Sequence, residues 1–276
     1  MIQGISPAIS AINNLGKRIG NIANNVANVS TSGYKKSQTT ASSLPAYNVS
    51  TASGTSQVGM GSALEDISHI FQQGAFEPND SPTSMAIGGD GFFVVQDGEG
   101  KSYYTREGNF SFNQTGSLVN SQGFVVQGWR INPETGSPQG SLGNISMTLF
   151  TSSDGHNAGE LESISVSPDG VITGNYTNGN QEALFQVATA KFQNPNGLEQ
   201  LGSNLFAETG DSGIAITGSP GTGGLGRIVP NALEMSNVDL VEEFTRLTLF
   251  KRNFQANLKV IEVENELKGD VINIIS

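Results

Sequence analysis

Two histidines, His69 and His156, are the only imidazoles in 276 residues, and they stand far apart with no ligand-like spacing. A metal centre needs three or four convergent donors and a His-based active site needs an oriented partner, and neither pattern is present. Surface or polar-contact roles suit both. Gly221-Thr-Gly223-Gly-Leu-Gly226 spells G-x-G-x-x-G. A dinucleotide site needs a strand before that run and a helix opening at it. Arg227-Ile-Val-Pro230 follows instead, so the run reads as a flexible connector. Asp90, Asp97 and Asp154 each precede Gly, but without the remaining ligands of a calcium loop they read as hairpin turns. Glu262, Glu264 and Glu266 read as the solvated face of a helix. The Asn-x-Ser/Thr sequons at Asn28, Asn113, Asn144 and Asn175 are chance matches unless glycosylation machinery is present. Cysteine is absent, which removes disulfides and thiolate metal sites. No nucleophile or acid–base constellation can be assembled, so the chain is not expected to be an enzyme or to hold a cofactor or metal.

The apolar residues are better organised than the reactive ones. Ser6-Pro7 is a good helix start, because Ser caps and Pro is tolerated at the first helical position. Ile5, Ile9, Ile12, Leu15, Ile19, Ile22 and Val26 then follow at alternating spacings of three and four. Ile5, Ile12, Ile19 and Val26 share one heptad position, and Ile2, Ile9, Gly16 and Ala23 the other, which is a coiled-coil seam. The small residues would let another backbone approach closely. Thr31-Ser-Gly33 is expected to end the helix. At the other end, Ser236-Asn-Val-Asp239 reads as a capping box. Leu240, Phe244, Leu247, Phe254, Leu258 and Ile261 follow on one helical face, and Val260, Val263, Leu267, Val271 and Ile274 form a second, shifted stripe. Each terminal segment has a narrow apolar stripe and is polar elsewhere, so each needs a partner helix. Both are expected to order only within an assembly.

Charge follows the same division. The net charge is -11, which argues against nucleic acid, since phosphate neutralisation needs clustered Lys and Arg. The first acid is Glu65, whereas Lys17, Arg18, Lys35 and Lys36 all precede it. From Glu234 onward there are eight acids and five bases. The two ends are electrostatically complementary, although exposed pairs contribute little. No apolar run is long enough for a transmembrane helix, and Met1 to Ser10 does not read as a secretory signal. Export, if it occurs, would take a route without a cleaved signal peptide.

Between the ends lies β-type sequence. Phe92-Phe-Val-Val95, Phe110-Ser-Phe112, Leu118-Val119, Phe124-Val-Val126, Ile164-Ser-Val166 and Phe185 to Phe192 are strand candidates. Asp-Gly and other Gly-containing turns separate them, which suits hairpins and meanders. Thr39 to Gly61 is Ser/Thr/Gly-rich and reads as a linker or extended arm.

Four stretches carry a family resemblance. Asn21-Ile-Ala-Asn-Asn-Val-Ala-Asn-Val-Ser-Thr-Ser-Gly-Tyr-Lys35 resembles the N-terminal signature of bacterial flagellar rod and hook axial proteins, with Asn24, Asn25, Asn28, Gly33 and Tyr34 as its marked positions. Gly91-Phe-Phe-Val-Val95, Tyr104-Thr-Arg-Glu-Gly-Asn-Phe110 and Leu118-Val-Asn-Ser-Gln-Gly-Phe124 resemble the β region of that family, and Leu233-Glu-Met-Ser-Asn-Val-Asp-Leu240 its C-terminal motif. Ser56-Gln-Val-Gly-Met-Gly61, Gln127-Gly-Trp129, Tyr176-Thr-Asn-Gly179 and Phe206 to Gly213 are similar to hook more than to distal-rod sequence. Hook proteins usually carry an outer domain inserted where Met147 to Leu161 runs directly on. That leaves a compact hook-type protein, one whose outer domain was removed, or a rod protein with hook-like sequence.

The resemblance implies an α+β fold, with long N- and C-terminal helices paired as a coiled coil and a mainly antiparallel β middle domain. It places residues 1–32 and 234–276 in an inner tube, 33–75 and 214–233 in extended linker arms, and 76–213 in a β-rich outer domain. It implies self-assembly into a helical homopolymer, the tubular flagellar hook or the distal rod, without nucleic acid or membrane insertion. Other axial proteins, the hook cap and the type III export apparatus are the implied partners. A secreted β-rich adhesin is the competing reading from another class. The Asn residues have a reading of their own, since their side chains can bond neighbouring backbone groups while Gly33 supplies an unusual φ. Together they would give the helix a defined exit.

Overall fold

The computed structural model describes residues 5–51, 54–132, 134–147 and 161–275. The described residues form an α+β chain with two α-helices and strands paired antiparallel. They fall into two compact units: Met1–Val29, Lys36–Ile70 and Val238–Ser276 in the first, Ser30–Lys35 and Phe71–Asn237 in the second. Ile2, Asp154 and His156, and the stretch 148–160 within the expected site of an inserted domain, lie outside the described residues.

The first unit holds helices α1 (Ile5–Ala27) and α2 (Leu240–Ile275). The three-and-four spacing becomes a shared core of Leu15, Ile22 and Phe250, with Ile19, Val26, Leu247 and Phe254 against it. The helices run antiparallel: the Arg18 guanidinium lies over the Phe250 ring at 4.2 Å, and Lys36, just past α1, pairs with Glu242 at the start of α2. The region 33–75, read from the sequence as an arm, carries strands β1 (Ser37–Ser43), β2 (Tyr47–Thr51), β3 (Gly54–Val58) and β4 (Ser62–His69). β1 pairs with β4 and β2 with β3, both antiparallel. β1 and β3 are mostly Ser, Thr and Gln, and the few apolar residues of β2 and β4 sustain no alternation over a strand's length, so periodicity could not announce them.

The second unit is a β domain. Its strands are β5 (Phe76–Pro78), β6 (Met85–Gly88), β7 (Phe92–Gln96), β8 (Ser102–Thr105), β9 (Ser111–Phe112), β10 (Leu118–Val119), β11 (Val125–Ile131), β12 (Pro138–Asn144), β13 (Leu161–Val166), β14 (Val171–Tyr176), β15 (Gln181–Val187), β16 (Thr189–Lys191), β17 (Glu199–Gly202), β18 (Leu205–Ala207), β19 (Ile216–Gly218), β20 (Arg227–Pro230) and β21 (Ala232–Glu234). The large sheet runs β13-β14-β15-β11-β7-β8-β18-β17, with β9, β10, β12, β16 and β19 joined to that path. β20 pairs with β6 and β21 with β5.

β7 explains why the sheet is buried on both faces. Successive side chains in a strand point to opposite sides. Phe93 and Val95 enter one core with Phe110, Val126, Ile172 and Phe185. Phe92 and Val94 enter the other with Tyr104, Phe192 and Phe206. A continuous apolar run is what such a strand requires. The glycine run at 221–226 is a closed turn rather than a loose connector: Gly221 N–H donates to the Gly226 carbonyl at 3.0 Å. Gly221, Gly223 and Gly224 all have positive φ, which glycine adopts without strain.

Candidate assembly surfaces and the buried charge cluster

The predicted helix residues divide into three groups. Ile19, Ile22, Val26, Leu247 and Phe254 meet in the α1–α2 core. Ile5, Ile12 and Ile261 are half-buried. Ile9, Leu240, Phe244 and Leu258 are exposed, Phe244 by 51%. Phe250, absent from the predicted stripe, is among the most buried residues of α2. Its position three after Leu247 and four before Phe254 was the signal that could have found it.

The end of α1 is built from its asparagines. Asn25 is 1% exposed. Its Nδ2 donates to the Ser37 carbonyl at 2.9 Å, and its Oδ1 accepts from the Ser37 backbone N–H at 3.0 Å. One amide thus mimics a strand partner and ties β1 to the helix. Asn28 N–H donates to the Asn24 and Asn25 carbonyls, and its Nδ2 to the Asn24 carbonyl at 2.9 Å. Helix α1 therefore stops at Ala27, several residues before the predicted Thr31-Ser-Gly33 end. Asn28 N–H shares the Asn25 carbonyl that Val29 would have used, and Val29 N–H turns to Val26 instead, so the ladder tightens to i→i−3 and the helix ends.

In the second unit, Gly33 has φ +71, and a Cβ there would lie 2.5 Å from the Glu107 nitrogen. Both conformation and space demand glycine. Its N–H donates to the Glu234 carbonyl at 2.7 Å, and the adjoining Tyr34 is buried.

That contact leads to a cluster the sequence reading missed. Lys35, Arg106 and Glu234 are buried, Glu234 completely. Lys35 Nζ donates to Glu234 Oε1 at 2.5 Å and to the Gln72 carbonyl at 2.8 Å. Arg106 donates to Glu234 Oε2 at 3.3 Å, and the Gly74 N–H to Oε1 at 3.0 Å. Arg106 also sits over the Phe92 ring at 5.3 Å. Burial pushes the Lys35 amine below its ordinary value, against the pull of Glu234. Burial likewise pushes Arg106 down against Glu234. One carboxylate thus holds two cations drawn from positions 35 and 106. All three residues lie inside stretches that carried the family resemblance, but no local pattern reveals that they meet.

Helix α2 starts three residues later than a capping box with Ser236 as its N-cap implies. Asp239 is the cap: its Oδ1 accepts from the Val241 N–H at 2.8 Å and the Glu242 N–H at 3.3 Å. In the same first turn Glu242 accepts from Lys36 at 2.9 Å and from Arg246 at 2.5 Å. The Lys36 hydrogen bond, with help from the charge of Arg246, holds its carboxyl below the ordinary carboxylate value. The complementary charges of the two chain ends therefore do meet within the first unit, at Lys36 and Glu242.

His69 lies at the end of β4. Among the described residues no helix is long and apolar enough to cross a membrane, and no group of three His, Asp or Glu could hold a metal.

Two family models match the chain: the flagellar hook protein FlgE/F/G D1 domain over residues 86–174, and the flagellar basal body rod FlgEFG protein C-terminal region over 229–274. The chain is 32% identical to the flagellar basal-body rod protein FlgG of Bacillus subtilis, with 99% of each chain covered. It is similar to the same rod protein of Borreliella burgdorferi, at 32% identity and 99% of each chain. To the flagellar hook protein FlgE of Helicobacter pylori it is 36% identical over 184 residues, which cover 60% of this chain and 25% of that one.

Proposed function

Because the chain belongs to the family of bacterial flagellar hook and basal-body rod proteins, a family of structural subunits of the motility organelle, we propose that it polymerises into a tubular section of the flagellar axis through its paired terminal helices. The observation that carries this is the surface of α2. The helix buries one face against α1 but leaves Val241, Phe244, Leu249, Leu258, Val260 and Leu267 between 46% and 76% exposed. Large apolar side chains left in water along one helix mark an interaction surface. The α1–α2 pair is read as a short coiled coil that forms the inner wall, with the β unit as the outer one. Export without a cleaved signal, and contacts with a cap and adjacent axial proteins, belong to the same reading.

Within the axis, the rod is the better supported position. Rod relatives agree with this chain over the whole of both lengths. The Rhizobium meliloti hook protein FlgE aligns only across 400 positions against 276 residues, at 24% identity, so the hook relative carries a large additional segment. The hook remains the second reading, on the strength of the 36% identity shared with the Helicobacter pylori hook protein. Sedimentation of purified chain followed by electron microscopy tests both steps. A straight tube is expected for a rod and a curved one for a hook. A chain that stays monomeric up to millimolar concentration would remove the assembly reading.

A further inference from the structure

The chain contains two Asn-Gly pairs, Asn178-Gly179 and Asn196-Gly197, and the fold treats them in opposite ways. In this dipeptide the asparagine carboxamide carbon is open to attack by the next backbone nitrogen, because glycine has no side chain to hinder the approach. The product is a succinimide ring. Two structural conditions decide whether it forms. The carboxamide must lie over the peptide that follows it, and that peptide must be able to turn.

Asn178 meets both conditions. It sits at the tip of the β14–β15 hairpin, where Tyr176 N–H donates to the Asn180 carbonyl at 3.0 Å and Gly179 N–H to the Tyr176 carbonyl at 2.9 Å. Asn178 Oδ1 accepts from the Asn180 N–H at 3.0 Å. This Asx-turn folds the carboxamide over its own following peptide, which brings the reacting groups together in advance. The same N–H rests on the oxygen that gains negative charge when the nitrogen adds to Cγ. Residues 177–180 are all exposed, and nothing lies within 4 Å of a Cβ built on Gly179. A single backbone bond at such a tip opens at little cost and gives the Gly179 N–H to water. Asn196 differs on each point. It lies in the short 3-10 turn Pro195–Gly197. Gly197 N–H donates to the Asn194 carbonyl at 3.1 Å, and the Gly197 carbonyl accepts from Thr209 Oγ1. A Cβ on Gly197 would lie 2.6 Å from the backbone of Asp211 and Ser212, so this peptide is clamped and cannot rotate into a ring. The comparable Asx-turns at Asn113 and Asn120 are followed by Gln114 and Ser121, whose side chains hinder attack.

We propose that Asn178-Gly179 is a site of spontaneous self-modification, at which the folded chain converts its own asparagine to a mixture of aspartate and isoaspartate. Gly179 N loses its proton to solvent and attacks Asn178 Cγ. The N–Cγ bond forms, the Cγ–Nδ2 bond breaks, and Nδ2 leaves with a solvent proton as ammonia. Water then opens the ring. Cleavage at Cγ gives aspartate, and cleavage at the main-chain carbonyl gives isoaspartate, in which the chain runs on through Cγ. Water is the sole co-reactant, no oxidant or reductant is needed, and no second copy takes part. Either product puts a carboxylate on a hairpin that already carries Glu182. The isoaspartate also adds a methylene to the backbone, so the Tyr176–Asn180 and Gly179–Tyr176 bonds no longer fit one turn. The hairpin tip therefore changes charge and shape with age while the sheet beneath it stays in place.

The second pair serves as an internal reference for the test. Purified full-length chain is aged at mildly alkaline pH, folded in buffer and unfolded in urea, and sampled over time. Trypsin cuts after Arg130, Lys191 and Arg227, which places the two pairs in different peptides for mass spectrometric sequencing. In urea both asparagines should convert at similar rates. In the folded chain Asn178 should convert about tenfold or more faster than Asn196, because only the clamped peptide must unfold more widely to react. The Asn178 product should include isoaspartate, and its rate should rise with pH because the attacking nitrogen must lose a proton. Equal rates at the two pairs in the folded chain would overturn the assignment. So would a product that is aspartate alone, since direct hydrolysis gives that without a ring.

Discussion

Glu234 and Lys35 form one buried pair, yet removing either should have very different consequences. Glu234→Gln leaves two buried cations, Lys35 and Arg106, facing a neutral amide. Uncompensated buried charge of that kind costs about 3–5 kcal/mol. Lys35→Met removes the more weakly justified partner. Glu234 keeps Arg106 at 3.3 Å and the Gly74 N–H at 3.0 Å. The Gln72 carbonyl keeps the Asn237 Nδ2 donor at 3.0 Å. Burial already holds the Lys35 amine below its ordinary value of 10.5, so its charge is a net burden in the folded state. A methionine of similar volume should therefore cost clearly less than Glu234→Gln, because Glu234 keeps a compensating cation in Arg106 and the Gly74 N–H.

Urea melts followed by the fluorescence of Trp129, the chain's single tryptophan, report on the unit that contains the cluster. The sign with pH is fixed as well. Between the lowered folded value and 10.5, the unfolded chain binds more protons than the folded one. Stability therefore rises with pH in that window. The rise should be present in the wild type and absent in Lys35→Met. If Lys35→Met costs more than Glu234→Gln, or if stability falls with pH in that window relative to the variant, the cluster is not organised around its carboxylate.

Other perturbations separate the remaining devices. Gly33→Ala should cost at least 2 kcal/mol by urea melt, since left-handed strain of about 1–2 kcal/mol adds to a Cβ placed 2.5 Å from the Glu107 nitrogen. Asn25→Ala deletes the reciprocal bonds to Ser37 and should cost about 1–3 kcal/mol, with faster amide exchange in β1 than in β14. Asp239→Ala removes the α2 cap and should lower stability by about 0.5–2 kcal/mol, visible as loss of helical circular dichroism. Glu242, held below 4.5 chiefly by Lys36, contributes stability that is present above 4.5 and lost as pH falls through its lowered value. Because both side chains are partly exposed, the loss should stay under about 1 kcal/mol, and Glu242→Gln should abolish it.

How much of this could be read in advance depends on how local each device is. The helices were legible because packing against one neighbour imposes a three-and-four rhythm on consecutive residues, and Ile19, Ile22, Val26, Leu247 and Phe254 obey it. β7 was legible because burial on two faces needs an unbroken Phe-Phe-Val-Val run. Strands β1 to β4 were not, since β1 and β3 are mostly Ser, Thr and Gln and the few apolar residues of β2 and β4 sustain no alternation. The helix ends slipped because Asn28 and Asp239 compete with equally plausible neighbours, and only geometry decides which oxygen reaches which N–H. The Lys35–Arg106–Glu234 cluster is the extreme case. Its members are separated by 71 and 128 positions, and each looks like an ordinary surface charge until the fold buries it. The same reasoning explains why Asn24 and Asn25, adjacent in sequence and alike in type, take opposite roles. A helix turns by about 100° per residue, so one amide faces β1 and is consumed by Ser37, while the other faces outward with its donor free.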